Sequence, residues 1–376
     1  MKEKARYISA DLLRGLVIII MIEVHVFNAF LVPELRQTGW FSVINFINGL
    51  VAPSFLFVSG FAFQVSSKGK LDEMRKLGKA FWKKIGRVFQ IIIIGYALHL
   101  PFFSLSKTIN QTTPQLLESF FAVDVLQCIG FGLLFLFLTR LLIQSDKTYH
   151  FFLIASLVVV TLISPVFWKI EFANYLPIVI ANYFNRLHGS LFPIFPWLNF
   201  LLAGGIFAKY FVDAREQGSE EKFVKLSTIM GFVVLLFGHL FYLGLFPKAL
   251  TSILPNPVFY LERLGYILVL FFLCWIVDRK TNIKNTFIMD ASRESLLVYW
   301  LHLITIFGVF WGGKSLAERI GMTLNAFEAM GATILLITLM ILAAKLWGWV
   351  KQKHKKYVAI FIKVIMVFIL LLFITL

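Results

Sequence analysis

About eleven runs of roughly twenty mostly apolar residues, separated by short polar loops, confine this chain to a lipid bilayer. The runs fall near residues 12–32, 45–66, 85–104, 120–143, 150–168, 191–211, 226–246, 261–277, 294–313, 329–348 and 357–375. A helix rising about 1.5 Å per residue needs about 20 residues to cross the hydrocarbon layer, and only a helix or a closed barrel satisfies its backbone there. The expected fold is all-α: a polytopic integral membrane helical bundle of about 11 transmembrane helices. It reads as one domain over 1–376, with 329–376 as terminal helices. The chain is 59% hydrophobic, above the roughly 45–50% of soluble domains. No polar stretch is long enough for a separate soluble domain. The first run is too long for a cleaved leader and lacks a small-residue cleavage site. Gly and Pro in the runs near 45–66 and 191–211 predict kinks there.

The net charge of +16 would suit nucleic acid if it formed a patch, but it is sorted by loop. Lys2, Lys4 and Arg6 precede the first run, and the second loop carries Lys68, Lys70, Arg75, Lys76, Lys79, Lys83, Lys84 and Arg87. Lys222 with Lys225, Arg279 with Lys280 and Lys284, and Lys351 with Lys353, Lys355 and Lys356 fill later even-numbered loops. Odd-numbered loops are poorer in basic residues, with Arg36 in the first, Lys107 in the third, and Lys169 and Arg186 in the fifth. Basic loops stay in the cytoplasm, so the N-terminus is expected inside, and compact loops suit a bacterial inner (plasma) membrane. Membrane lipids are the expected surroundings, and nucleic acid is excluded as a partner. The stretch 68–87 suits anionic headgroups. Cys128 and Cys274 read as buried small hydrophobes, and no metal site is expected.

Ionisable residues inside apolar runs carry the chemistry, because each costs about 2.5–3.5 kcal/mol near a helix centre. In the first run Arg14 and His25 lie about 20° apart on the helical wheel, and Asp11 about 40° from His25. Along the axis His25 stands roughly 16 Å from Arg14. Loop charge then sorts the polar residues by depth. Asp11, Arg14, Arg293 and Glu294 fall at cytoplasmic ends. His25, Asp124, Gln127, His239, Glu262, Arg263 and the loop residue His188 fall in outer halves, and His302 lies near the middle. Guanidinium groups match phosphate oxygens, so Arg14 and Arg293 suit a phosphorylated ligand. A histidine held by a carboxylate suits general-base work on a hydroxyl or amine. His25 is the candidate base, with Asp124 as its orienting partner and Glu262 as second choice. Gln127, Asn45 or Asn48 would serve an oxyanion.

Several stretches resemble the heparan-alpha-glucosaminide N-acetyltransferase catalytic-domain family of transmembrane acyltransferases. Ile8-Ser9-Ala10-Asp11-Leu12-Leu13-Arg14-Gly15 is similar to its opening motif, and His25 to a histidine late in the first span of bacterial members. Val51 to Gly60, Asp124-Val125-Leu126-Gln127 with Gly130, and Phe192 to Trp197 with Gly204-Gly205 resemble later segments. Ser292 to His302 resembles its late serine-leucine-tyrosine-histidine segment. Together the similar stretches run from about residue 6 to 305.

The resemblance implies transfer of an acetyl or other acyl group from cytosolic acyl-CoA to a sugar amine or hydroxyl across the membrane. Acyl-CoA is then the donor, and a carbohydrate or glycolipid the acceptor. Arg14, Arg293, Asp11 and His302 become donor-binding candidates; His25, Asp124, Glu262 and His188 become catalytic ones. In lysosomal members the catalytic histidine sits in the loop after the first span. Residues 33–42 here have none, so His25 takes that part, with His188 as alternative. A transporter or flippase of a glycan or lipid intermediate is the rival class, expected to show internal repeats. A catalytically inactive envelope component is a third. A homodimer is the expected assembly by symmetry.

Overall fold

The structure is a computed structural model that describes residues 7–283, 286–309, 311 and 313–375. Lys2, Lys4, Arg6 and Lys284 lie outside the described residues, as does the side chain of Lys355. The principal helices are α1 (Ile8–Phe30), α2 (Gly39–Asn48), α3 (Val51–Ser67), α4 (Lys79–Ala97), α5 (Val125–Leu142), α6 (Asp146–Phe167) and α7 (Ile194–Glu216). They continue as α8 (Glu220–Leu240), α9 (Pro257–Lys280), α10 (Phe287–Arg293), α11 (Ser295–Phe307), α12 (Ala326–Lys353) and α13 (Lys355–Thr375). No strand occurs among the described residues; one isolated bridge joins Leu31 and Leu324.

Among the described residues, eight helical stretches are long and apolar enough to cross a membrane. They are Gly39–Ser67, the helices α5, α6, α7 and α9, the stretch Glu220–Leu245, α12, and Lys356–Thr375. The protein is an all-α polytopic membrane bundle. Three other apolar runs fold as α1, which carries Asp11, Arg14 and Glu23; as α4, rich in lysine at its start; and as α11, of 13 residues. α11 is bounded by Glu294, at φ −109° and ψ 29°, and by Gly308, where the chain turns extended at φ −71° and ψ 137°.

Both expected kinks are present. Gly49 and Leu50 separate α2 from α3. Near the start of α7, Phe195 is extended at φ −98° and ψ 110°, as a residue before proline prefers. Its carbonyl accepts the Trp168 indole N–H at 2.7 Å, which satisfies a group the kink would strand.

The chain forms two compact units. One comprises Met1–Val51, Phe102–Ile109 and Leu273–Leu376; the other comprises Ala52–Pro101 and Asn110–Phe272. In the first, α1 packs on α10, α11 and α12. The α1–α10 contact is backbone to backbone: a Cβ on Gly15 would stand 2.3 Å from the Ile288 carbonyl oxygen. Arg36 fixes the far end of α1, its guanidinium donating to the carbonyls of Phe27, Asn28 and Leu31 at 3.0–3.3 Å. A cation there complements the helix C-terminus. In the second unit α7 packs on α6, α8 and α5, and α4 on α5. α3 and α7 touch through glycines: a Cβ on Gly60 would lie 1.9 Å from Leu201 O, and one on Gly204 1.9 Å from Phe57 O.

Candidate active site

In the first unit His25 and His302 meet, with ring centroids 5.2 Å apart and planes inclined at 44°. Phe307 lies edge-on to His25 at 6.1 Å, and Tyr299 edge-on to His302 at 5.9 Å. His302 is fully buried. Its Nδ1 lies 2.7 Å from Val298 O, one turn earlier in α11. A carbonyl only accepts, so Nδ1 carries a proton. Nε2 has no hydrogen-bond partner among the described residues. His302 was grouped with the donor-binding residues; the fold sets it beside His25 instead. On the same helix as His25, Glu23 accepts from Asn48 Nδ2 at 3.5 Å.

The other end of α1 carries an ion pair, Arg14 Nη1 to Asp11 Oδ1 at 3.4 Å. Arg293 pairs with Asp290 at 3.1 Å in α10. It lines a cavity of about 890 Å³ between α10, α12 and α13, whose wall also includes Lys345, Trp349, Lys351 and Glu294. Lys351 donates to Glu294 at 2.6 Å, and Lys353 lies 5.0 Å above the Trp349 ring. Lys345 is exposed and forms no ion pair among the described residues. Three cations around one aromatic wall can hold a polyanion with a flat ring system. Lys345 was not legible because it sits inside an apolar run; its i,i+4 spacing to Trp349 was the available signal.

The second unit holds the remaining candidates. Asp124 lies one residue ahead of the helix that carries Gln127. It is the N-cap of α5, and its Oδ1 accepts from Val125 N at 2.7 Å. Aspartate ahead of an apolar run is a capping signal. Its Oδ2 faces His99 Nε2 at 3.7 Å. His99 was not foreseen, since its partner depends on α4 and α5 lying side by side. Gln127 is fully buried, and neither carboxamide atom has a partner among the described residues. Glu262 lies 3.5 Å from His239 Nδ1, where α8 and α9 close on Gly238. That places it as a pin between helices.

His188 sits in the loop before α7. Its Nε2 lies 2.8 Å from Glu171 and its Nδ1 3.4 Å from Glu118. The hydrogen bond to Glu171, helped by the charges of both carboxylates, raises the imidazole above its ordinary 6.5. The same bond lowers Glu171 below its ordinary 4.5. A ring that donates from both nitrogens has no lone pair to take a proton. His188 therefore has the geometry of a clamp and not of a base.

Residues 6–244 match the family described as heparan-alpha-glucosaminide N-acetyltransferase, catalytic. The match spans more than half of the 376 residues. The chain belongs to this family. The family is one of membrane acetyltransferases, and the matched region holds His25, Arg14, Asp124 and His188. Arg293 and His302 lie beyond it. No curated protein matches the chain.

Proposed function

We propose that this protein moves an acetyl or other acyl group from cytosolic acyl-CoA to a hydroxyl or amine of a carbohydrate or glycolipid on the far side of the membrane. The observation that carries the donor half is the cavity of about 890 Å³ lined by Arg293, Lys345, Lys351 and Trp349. Its cations suit the phosphates of CoA and its ring suits the adenine, and its volume falls in the range of cofactor sites. Arg14, on the helix packed against α10, is the second arginine proposed to meet the donor's phosphates. The loop-charge asymmetry supports a cytoplasmic position for this cavity.

His25 is the general base. It takes the proton of the acceptor as the acceptor's oxygen or nitrogen attacks the thioester carbon, and the C–S bond breaks to release CoA. His302 packs on His25 and restricts its ring. In this reading the whole chain, 1–376, acts as one catalytic domain in the plasma membrane, without a metal.

Lys345→Glu tests the donor half. Because Lys345 is exposed and unpaired within the described residues, the substitution leaves the fold intact. We expect acetyl-CoA affinity, measured by titration calorimetry on detergent-solubilised protein, to fall at least tenfold. Unchanged affinity would remove this cavity from the reaction.

A further inference from the structure

The cations at the start of α4, in the second unit, send their side chains to different places. Lys84 turns inward: its Nζ donates to Ser66 Oγ at 2.8 Å and lies 4.4 Å from the Phe63 ring centre. Arg87 donates to Gln90 Oε1 at 2.9 Å. Lys79 and Lys83 stand one turn apart on the exposed side of the helix, and neither ammonium has a protein partner among the described residues. Each ammonium carries three donors, so the pair forms an open seat for an anion.

Beyond them the same side of α4 is apolar. Trp82, Gly86, Phe89 and Ile93 fall within about 60° of one another on the helical wheel. Trp82, Phe89 and Ile93 are 66%, 53% and 60% exposed, so the stripe faces outward. Gly86 notches it: a Cβ there would meet nothing within 4 Å. Ile93 lies about 16 Å along the axis from Trp82, close to half of the roughly 30 Å hydrocarbon layer. A soluble polyanion would use the lysine end alone. A phospholipid matches both the cations and the length of the stripe, with tryptophan at headgroup level, where it is enriched.

The turn that leads into α4 is firmly built. The short helix Leu71–Arg75 ends in a Schellman pair, Gly78 N–H to Glu73 O at 2.9 Å and Leu77 N–H to Met74 O at 3.1 Å. Glu73 Oε1 accepts from Ala80 N–H at 3.0 Å, and Arg75 donates to the carbonyls of Leu141 and Leu142 at the end of α5. Leu77 takes the left-handed position at φ 53°, where glycine is usual, with 57% of its surface exposed. Packing within the protein does not explain a leucine there; contact with lipid beside Trp82 does.

We propose that this face of α4 seats one anionic phospholipid. Its phosphate accepts from the Lys79 and Lys83 ammonium groups, and an acyl chain lies over Gly86 along Phe89 and Ile93. The basic stretch as a whole suits anionic headgroups; the fold narrows that attraction to one seat. A zwitterionic lipid brings a cation of its own to the lysines and binds less tightly. The seat does not rest on the acyltransferase reading.

Native mass spectrometry of the full chain in detergent counts bound lipid directly, with phosphatidylglycerol, phosphatidylcholine and chain-free glycerol 3-phosphate as probes. We expect phosphatidylglycerol to bind wild type about tenfold or more tighter than phosphatidylcholine, and an equal concentration of glycerol 3-phosphate not to displace it. Lys79→Gln with Lys83→Gln should weaken phosphatidylglycerol by about tenfold or more. Lys147→Gln with Lys222→Gln removes the same charge from exposed positions elsewhere in this unit and should bind as wild type does. Gly86→Phe has room for its Cβ, keeps both lysines and fills the notch, so it should weaken binding severalfold. All three variants should melt near wild type. Equal binding of the two phospholipids, or equal loss in the two double variants, would reduce the seat to general attraction and overturn it. Displacement by glycerol 3-phosphate, or unchanged binding in Gly86→Phe, would make the ligand a phosphate group without its chains and overturn the lipid.

Discussion

Both nitrogens of His188 face carboxylates, and this gives the loop before α7 a pH window. His188 is raised in the folded protein, so its contribution is complete below 6.5 and is lost as pH rises through the raised value. Glu171 is lowered, so its contribution is complete above 4.5 and is lost as pH falls through the depressed value. The clamp is therefore strongest between about pH 4.5 and 6.5. Hydrogen exchange over residues 168–191, corrected for intrinsic rates, should be slowest in that window and speed up above it. Glu171→Gln should remove most of the rise; an unchanged profile would contradict the clamp. The sequence revealed that His188 was a polar residue near the start of a run, but not that two distant glutamates surround it. His25 was more legible, because an ionisable group inside an apolar run has few reasons to be there. Its neighbour His302 was legible as a residue near the middle of the membrane and not as its partner. Asp124 was read as a residue inside the run 120–143 and as a partner for His25, because hydropathy starts that run before the helix does; its capping role at Val125 depends on where the helix begins.

At the scale of elements, hydropathy located nearly every long helix, since burial in lipid demands length and apolarity of each one separately. It located the ends less well. Polar caps such as Asn325, whose side chain accepts from Phe327 N and Glu328 N, set them locally. Charged turns such as Lys79–Arg87 join a helix that hydropathy begins later. Contacts between helices were not legible, because they depend on which small residues face one another. The α3–α7 contact is the clearest case. A Cβ at position 204 would fall 1.9 Å from a backbone oxygen, and a backbone oxygen cannot rotate away. Gly204→Ala should therefore cost at least the roughly 1–3 kcal/mol of ordinary overpacking. A marked drop in melting temperature in detergent is the expected result. Gly205→Ala, whose Cβ would meet nothing closer than 3.8 Å, should melt near wild type. Equal melting of the two variants would contradict the contact.

For the whole molecule, membership of the acetyltransferase family and an all-α membrane bundle fix the class of chemistry. In the proposed mechanism the cavity lined by Arg293, Lys345 and Lys351 holds the donor and His25, packed on His302, acts as the base. The account stands or falls on transfer of an acyl group by His25. The most direct measurement is release of free CoA from acetyl-CoA by purified wild-type and His25→Ala protein, with and without a panel of neutral and amino sugars. The account predicts release that rises with an acceptor in wild type and falls roughly 10²–10⁴-fold in the variant, the usual worth of a general base. Acceptor-stimulated release of equal rate in both proteins would contradict it.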